Sequence, residues 1–371
     1  MVARQEDQAR LEGSQLVTGA ASISQAGTTS VRAGHGFDEA ALARWMEANV
    51  AGYSGPLSVE QFKGGQSNPT YKLVSPSGSY VLRRKPPGRI LQGAHAVDRE
   101  ARVLAALGRT DVPVPHVHGL CMDDSVIGTC FYVMDMVEGR NFWDATFPGV
   151  STDERPAYFD AMNDVIARLH QVDFNAIGLA DFGKPGNYFA RQIGRWSRQY
   201  LEDADAGRDP HMDRMIEWLP ARIPQDEQAA IIHGDFRCDN MIFHPTEPRV
   251  AAVLDWELST LGHPLADFAN HAIMYRMPPE IVAGLVGADL VSLNIPSEAE
   301  YVAAYCHRTG RASIPDYEFY IAFNFFRLAA IFHGIKGRVI RGTAASAHAK
   351  ERAKVFPALA KLACDSAGID F

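Results

Sequence analysis

The sequence predicts an α+β fold of two lobes, a small β-rich one followed by a larger, mostly helical one. Three observations point there. Between residues 57 and 136, short alternating or β-branched and aromatic runs are separated by turn residues and broken by one helical pattern. Beyond residue 157, apolar residues recur at helical spacing in one segment after another. The change falls at Glu138-Gly139, so the expected lobes are 35–137 and 138–371, with a hinge near residue 137 and a ligand cleft between them.

In order, residues 1–34 are rich in Gln, Ala, Gly, Ser and Thr and read as a disordered or loosely attached tail. Leu42, Trp45, Met46 and Val50 then recur at helical spacing behind Asp38, a suitable N-cap. Residues 57–62 alternate as a strand, 63–68 interrupt it, and 70–74 resume as a second strand. Pro76-Ser77-Gly78 turns the chain into a third at 79–83. A helix over 96–107 keeps Val97, Ala101, Leu104 and Leu107 on one face. Pro113 and Pro115 close that unit before a strand at 129–136. Helices follow at 157–172 and 188–203, then a buried strand at 229–232. A hairpin of 241–243 and 250–254 turns around Pro245 and Pro248. Helices at 265–275, 298–307, 316–335 and 344–367 complete the chain.

Composition narrows the function classes. The net charge of −8 gives no basic face for nucleic acid. No run of 18 apolar residues suggests a membrane span, and acidic residues precede the weakly apolar 16–23 stretch, unlike a signal peptide. The five cysteines are scattered without CxxC spacing, which argues against a disulfide framework or zinc site. A cytoplasmic enzyme is the expectation.

The chemistry concentrates in His233-Gly234-Asp235-Phe236-Arg237-Cys238-Asp239-Asn240, with Asp255-Trp256-Glu257 fifteen residues on. A strand leads into this loop and a hairpin follows, so Asp235, Asn240 and Asp255 can meet on one concave side. One Asp can accept the proton of an attacking hydroxyl, and the Asn and second Asp can hold a magnesium ion that neutralises phosphates. Upstream, Gly64, Gly65, Ser67 and Asn68 interrupt two strands. Their glycines admit close approach of backbone amides to phosphates, although a Gly-Gly hairpin turn explains the same residues. On the strand at 79–83, alternation puts Val81 and Arg83 on one face and Arg84 on the other, and Glu100 near the start of the next helix is a partner for Arg83.

These motifs resemble the aminoglycoside phosphotransferase and choline kinase-like family, relatives of the protein kinases. Its catalytic loop reads HGDxxxxN and its metal-binding Asp opens a D-W/F-x triplet; both stand intact here. The diffuse remainder, over about 38–350, looks nearest to the kinase-like domains joined to certain acyl-CoA dehydrogenases. The resemblance implies a protein-kinase-like fold and ATP as phosphoryl donor. It makes Asp235 the base, Asn240 and Asp255 the Mg2+ ligands, and Arg237 a stabiliser of the transferring phosphate. It also implies Gly64–Asn68 over the phosphates, Arg83 gripping them, and Met134, Asp135 and Met136 at the adenine hinge. Arg83 departs from the usual Lys, the one feature that favours a nucleotide-binding scaffold without transfer activity. Asp267, in Gly262-His263-Pro264-Leu265-Ala266-Asp267, would bond back to the catalytic-loop backbone. No Ala-Pro-Glu segment follows Asp255, which argues against a protein kinase.

For the acceptor, Arg191, Arg195 and Arg198 share a helical face beside Trp196, with Tyr188 at the start of the segment. Arg327, His333, Lys336, Arg338 and Arg341 follow later. A basic wall suits an acid, a phosphate or a coenzyme A ester better than a polycationic aminoglycoside. A solvated basic face with Glu202 and Asp203 as partners explains the pattern equally well. The expected partner is a small-molecule hydroxyl compound, neutral or anionic, with no nucleic acid or membrane.

Overall fold

Alternation in the first third of the chain becomes a six-stranded antiparallel sheet. In order of sequence its strands are β1 (Thr28–Thr29), β2 (Ser58–Phe62), β3 (Thr70–Ser75), β4 (Gly78–Arg84), β5 (Val117–Cys121) and β6 (Phe131–Asp135). Across the sheet they run β1-β2-β3-β4-β6-β5. The computed structural model describes residues 27–63, 68–86, 96–344 and 349–370. Gly64, Gly65 and Ser67, and the tail up to residue 26, lie outside the described residues.

Helix α1 (Glu39–Asn49) starts where the Asp38 carboxylate accepts from the Ala41 amide at 2.9 Å. Its Leu42 and Met46 bury against Tyr71, Leu73, Tyr80, Leu82, Phe131 and Val133. Val81 and Arg83, of opposite parity on β4, face the other way. There α2 (Val97–Leu107) supplies Glu100, whose carboxylate lies 3.1 Å from the Arg83 guanidinium. The sheet reaches further towards the N-terminus than the sequence suggests. Thr28–Thr29 fall in the stretch expected to be a loose tail, yet pair with β2. The Arg32 amide and guanidinium hold that return to Gln61 and to the Lys63 carbonyl. Strand β5 was also not expected. It is short, half-exposed and bulged between Val117 and Gly119, so it carries no clean alternation.

The chain divides into two compact units. One runs to Gly108 and takes in Pro115–Val137; the other is Arg109–Val114 with Glu138 onward. The second unit is helical, with α3 (Arg155–Gln171), α4 (Tyr188–Glu202), α5 (Pro210–Trp218), α6 (Pro264–Ala272), α7 (Glu298–Thr309), α8 (Tyr317–Ile340) and α9 (Ala349–Ser366). Two short antiparallel pairs interrupt them, β7 (Ala230–Ile232) with β10 (Thr260–Gly262) and β8 (Met241–Phe243) with β9 (Val250–Val253). Helix α5 was not expected, although Asp209 caps it and Pro210 opens it. A reciprocal Ser297–Glu300 capping box starts α7. All five cysteines are buried as free thiols. Among the described residues no helix is long and apolar enough to cross a membrane.

Candidate active site

Strand β7, buried throughout, delivers His233, Gly234 and Asp235 out of the core. The turn depends on Gly234, whose φ of +84° suits glycine and where a Cβ would stand 3.0 Å from the Leu258 carbonyl oxygen. His233 holds the turn. Its Nδ1 accepts from the Asp235 amide at 3.2 Å and its Nε2 donates to the Leu254 carbonyl at 2.8 Å. Asp267 near the start of α6 accepts from the His233 and Gly234 amides, both at 2.8 Å, and His170 lies 3.2 Å from the same carboxylate. Burial works to raise the Asp267 carboxyl, but the hydrogen bonds from His170 and the His233 amide, with the electrostatics of the two rings, outweigh it and hold the group below its usual range.

The side chain of Asp235 is about one-third exposed. Its Oδ1 stands 3.2 Å from Arg237 Nε, and its Oδ2 accepts from the Asn240 amide at 3.0 Å. Arg237 also grips Asp239 at 2.9 Å. Burial opposes the Arg237 charge, but the Asp235 and Asp239 carboxylates outweigh that and raise its pKa. Burial raises the Asp239 carboxyl, with Arg237 opposing. With its Nδ2 donating to Asp235, Asn240 keeps its Oδ1 as the atom to meet a cation. The Asn240 carbonyl accepts from the Leu254 amide at 2.8 Å, so the chain delivering Asp255 passes beside it. Trp256, 1% exposed, anchors that chain through Nε1 to the Val253 carbonyl and packs on the His233 ring.

Among the described residues no group of three or more His, Cys, Asp or Glu side chains could hold a metal by itself. One carboxylate and one carboxamide are a sparse oxygen set. That set suits Mg2+, which keeps waters and takes phosphate oxygens, and does not suit a metal needing a full protein cage.

In the first unit, Arg83 and Glu100 form the expected ion pair, with side chains 11% and 1% exposed. Asn68 is buried. Met134 is buried within β6. Asp135 closes that strand, with its amide donating to the His116 carbonyl and its carboxylate 2.7 Å from His118 Nε2. Met136 follows, half-buried.

A small pocket opens beside Asp235. Its other walls include Ala145, Ile273, Met274, Met277, Ala283 and Leu328, with Arg237, Asn270 and His271. Apart from Arg237, sequence reasoning did not single out these walls, which come from three distant segments. The residues expected there lie elsewhere. Tyr188 is buried beside Arg327. Arg191 is spent on the carbonyls of Gly186 and Lys184. Arg195 stacks over the Trp196 ring. Arg195, Arg198 and Arg341 line a separate, open pocket together with Glu202, Asp203 and Asp205, away from Asp235. Arg327 lies under the catalytic loop, His333 bonds the Gly207 carbonyl, and Arg341 is paired with Asp203 and Asp205. Asn141 was also missed. Its Nδ2 donates to the Asp239 and Met241 carbonyls at 2.8 and 2.9 Å and fixes the far end of the loop.

An α+β fold of this kind, with Asp, Arg and Asn in one loop and an Asp after it, is an arrangement that kinase-like phosphotransferases use. A model of the phosphotransferase enzyme family matches residues 58–323, and the chain belongs to that family. It is 43% identical over 343 residues to acyl-CoA dehydrogenase family member 10 of Mus musculus, covering 92% of this chain and 32% of that protein. The chain thus spans about a third of that curated relative. A crystal structure from Ralstonia eutropha JMP134, of a protein provisionally named an aminoglycoside phosphotransferase, shares 51% identity at a TM-score of 0.83. It covers 90% of this chain and 99% of its own. A thermostable aminoglycoside phosphotransferase APH(4)-Ia mutant, solved with ADP and hygromycin B, shares the fold at 12% identity and a TM-score of 0.58. That match covers 87% of this chain and 97% of the other.

Proposed function

We propose that this chain moves the γ-phosphoryl group of ATP, with Mg2+, to a hydroxyl of a small neutral or anionic metabolite. A hydroxyacyl thioester of the coenzyme A kind is one such acceptor. One observation carries the reading. The Asp235 carboxylate lines a mostly apolar pocket while Asn240 and Arg237 hold its two oxygens. Asp235 then orients the acceptor hydroxyl and takes its proton as the oxygen attacks phosphorus. Arg237, already between two carboxylates, turns its charge to the transferring phosphoryl group. Mg2+ held by Asn240 and Asp255 would neutralise phosphate charge. In the first unit Gly64, Gly65, Ser67, Asn68 and Arg83 serve the phosphates, Glu100 orients Arg83, and Met134, Asp135 and Met136 serve the adenine. Asp235 is the sole carboxylate among the lining residues of this pocket, which disfavours a polycationic aminoglycoside.

The test is phosphorylation of a metabolite extract with MgATP, read by mass spectrometry. New phosphorylated species are expected with the natural chain and none with Asp235→Asn, which should still bind MgADP. Near-normal turnover by Asp235→Asn would sink the reading. Nucleotide binding without any transfer by the natural chain would instead make it a scaffold.

A further inference from the structure

Arg327 sits in the middle of α8, 7% exposed, among the buried Phe325, Phe326, Ala329 and Ala330. Its guanidinium donates to the Gly234 carbonyl, 2.5 Å from Nη2, and lies beside the Tyr188 hydroxyl. Both oxygens are formally neutral. Burying a cation is costly, and an apolar residue would pack into such a helix more favourably. What the guanidinium secures is the loop. The Gly234 carbonyl belongs to the same peptide plane as the Asp235 amide. Arg327 holds its oxygen end, while His233 Nδ1 accepts from its N–H end at 3.2 Å. The preceding plane is held through the Gly234 amide to Asp267. On the far side of Asp235, His271 Nδ1 donates to the Phe236 carbonyl at 3.0 Å. The backbone that aims Asp235 is thus fixed from α6 and α8, and Asn270, His271 and Leu328 of those helices also wall the pocket.

We propose that Arg327 is a positioning residue for phosphoryl transfer. Its charge-assisted hydrogen bond sets the Gly234–Asp235 peptide plane, and hence the direction of the Asp235 carboxylate, while Tyr188 steers its guanidinium. This rests on Asp235 being the base. Tyr188, expected from sequence to meet the acceptor, acts instead on the loop.

The experiment compares the full natural chain with Arg327→Met, Arg327→Lys, Tyr188→Phe and Asp235→Asn. Turnover of MgATP is followed with the acceptor found in the extract screen, nucleotide affinity with mant-ADP plus Mg2+, and folding by thermal melting. A misaimed base should lower kcat roughly 10- to 100-fold in Arg327→Met, while KM for MgATP and mant-ADP affinity stay within about twofold. Arg327→Lys, which keeps a charged donor, should recover part of the loss. Wild-type kcat in a folded Arg327→Met, or kcat and nucleotide affinity falling together, overturns the proposal. Should Arg327→Met not fold, Tyr188→Phe decides, with a lowered kcat at unchanged KM expected and an unchanged kcat overturning it. If Asp235→Asn is dead while Arg327→Met is normal, positioning alone fails. If Asp235→Asn keeps turnover, the reading of the base fails as well.

Discussion

Asp255 holds a left-handed backbone conformation, φ +63°, which Asp and Asn tolerate better than most residues. Asp255→Asn should therefore preserve the fold while removing the charge offered to a cation. Its melting temperature should stay close to the natural one, and its affinity for ADP should no longer improve when Mg2+ is added. Titration of mant-ADP with and without Mg2+ checks this, and an unchanged Mg2+ effect would rule Asp255 out as a proposed Mg2+ ligand. The candidate loop was legible because Asp235, Asn240 and Asp255 follow one another at short spacing. Asn141 and Arg327 were not, since each acts on backbone about a hundred residues away and a side chain bonding a carbonyl leaves no spacing pattern.

At the scale of elements, the stretch entering the second unit is joined to the hairpin after the loop. Arg140 exchanges backbone hydrogen bonds with Phe243, both at 2.8 Å. Gly139 makes that contact fit, since a Cβ there would lie 2.1 Å from the Phe243 carbonyl oxygen. Gly139→Ala should force these segments apart and cost about 1–3 kcal/mol, the usual range for overpacking, read as a lower urea midpoint. A midpoint equal to that of the natural chain would show that the contact yields freely. Most helices were legible from apolar spacing, and β2 to β4 from alternation and their turn. Strand β5 was missed because His118, Gly119 and the half-exposed edge blur its pattern. Helix α5 buries only Met212 and Met215, too few positions to show a period.

Across the molecule, stability should fall in mild acid. Burial lowers the pKa of His263 to about 4, and burial likewise lowers His271 to about 4. Unfolded, each takes up its proton near 6.5, so between those limits the unfolded state binds more protons. Their contribution is complete above about pH 6.5 and is lost towards pH 4, at about 1.4 kcal/mol per pH unit for each. The Asp267 carboxyl, depressed in the fold, adds its own loss only below about pH 4. Urea midpoints at pH 7, 6 and 5 should descend in that order, and a flat series would rule the account out. The pocket beside Asp235 was the least legible feature, because its walls gather there only after Ala145, the 270–283 stretch and Leu328 have been brought together by folding. The burial of all five thiols has a practical side. With Cys121, Cys130, Cys238, Cys306 and Cys364 buried and their pKa values raised by desolvation, native sulfur should react slowly with maleimides. A cysteine placed at exposed Ser77 in one unit and another at exposed Thr246 in the other should take up dyes quickly without stripping the natural ones. Such a doubly labelled chain would turn distance changes during catalysis into an optical signal.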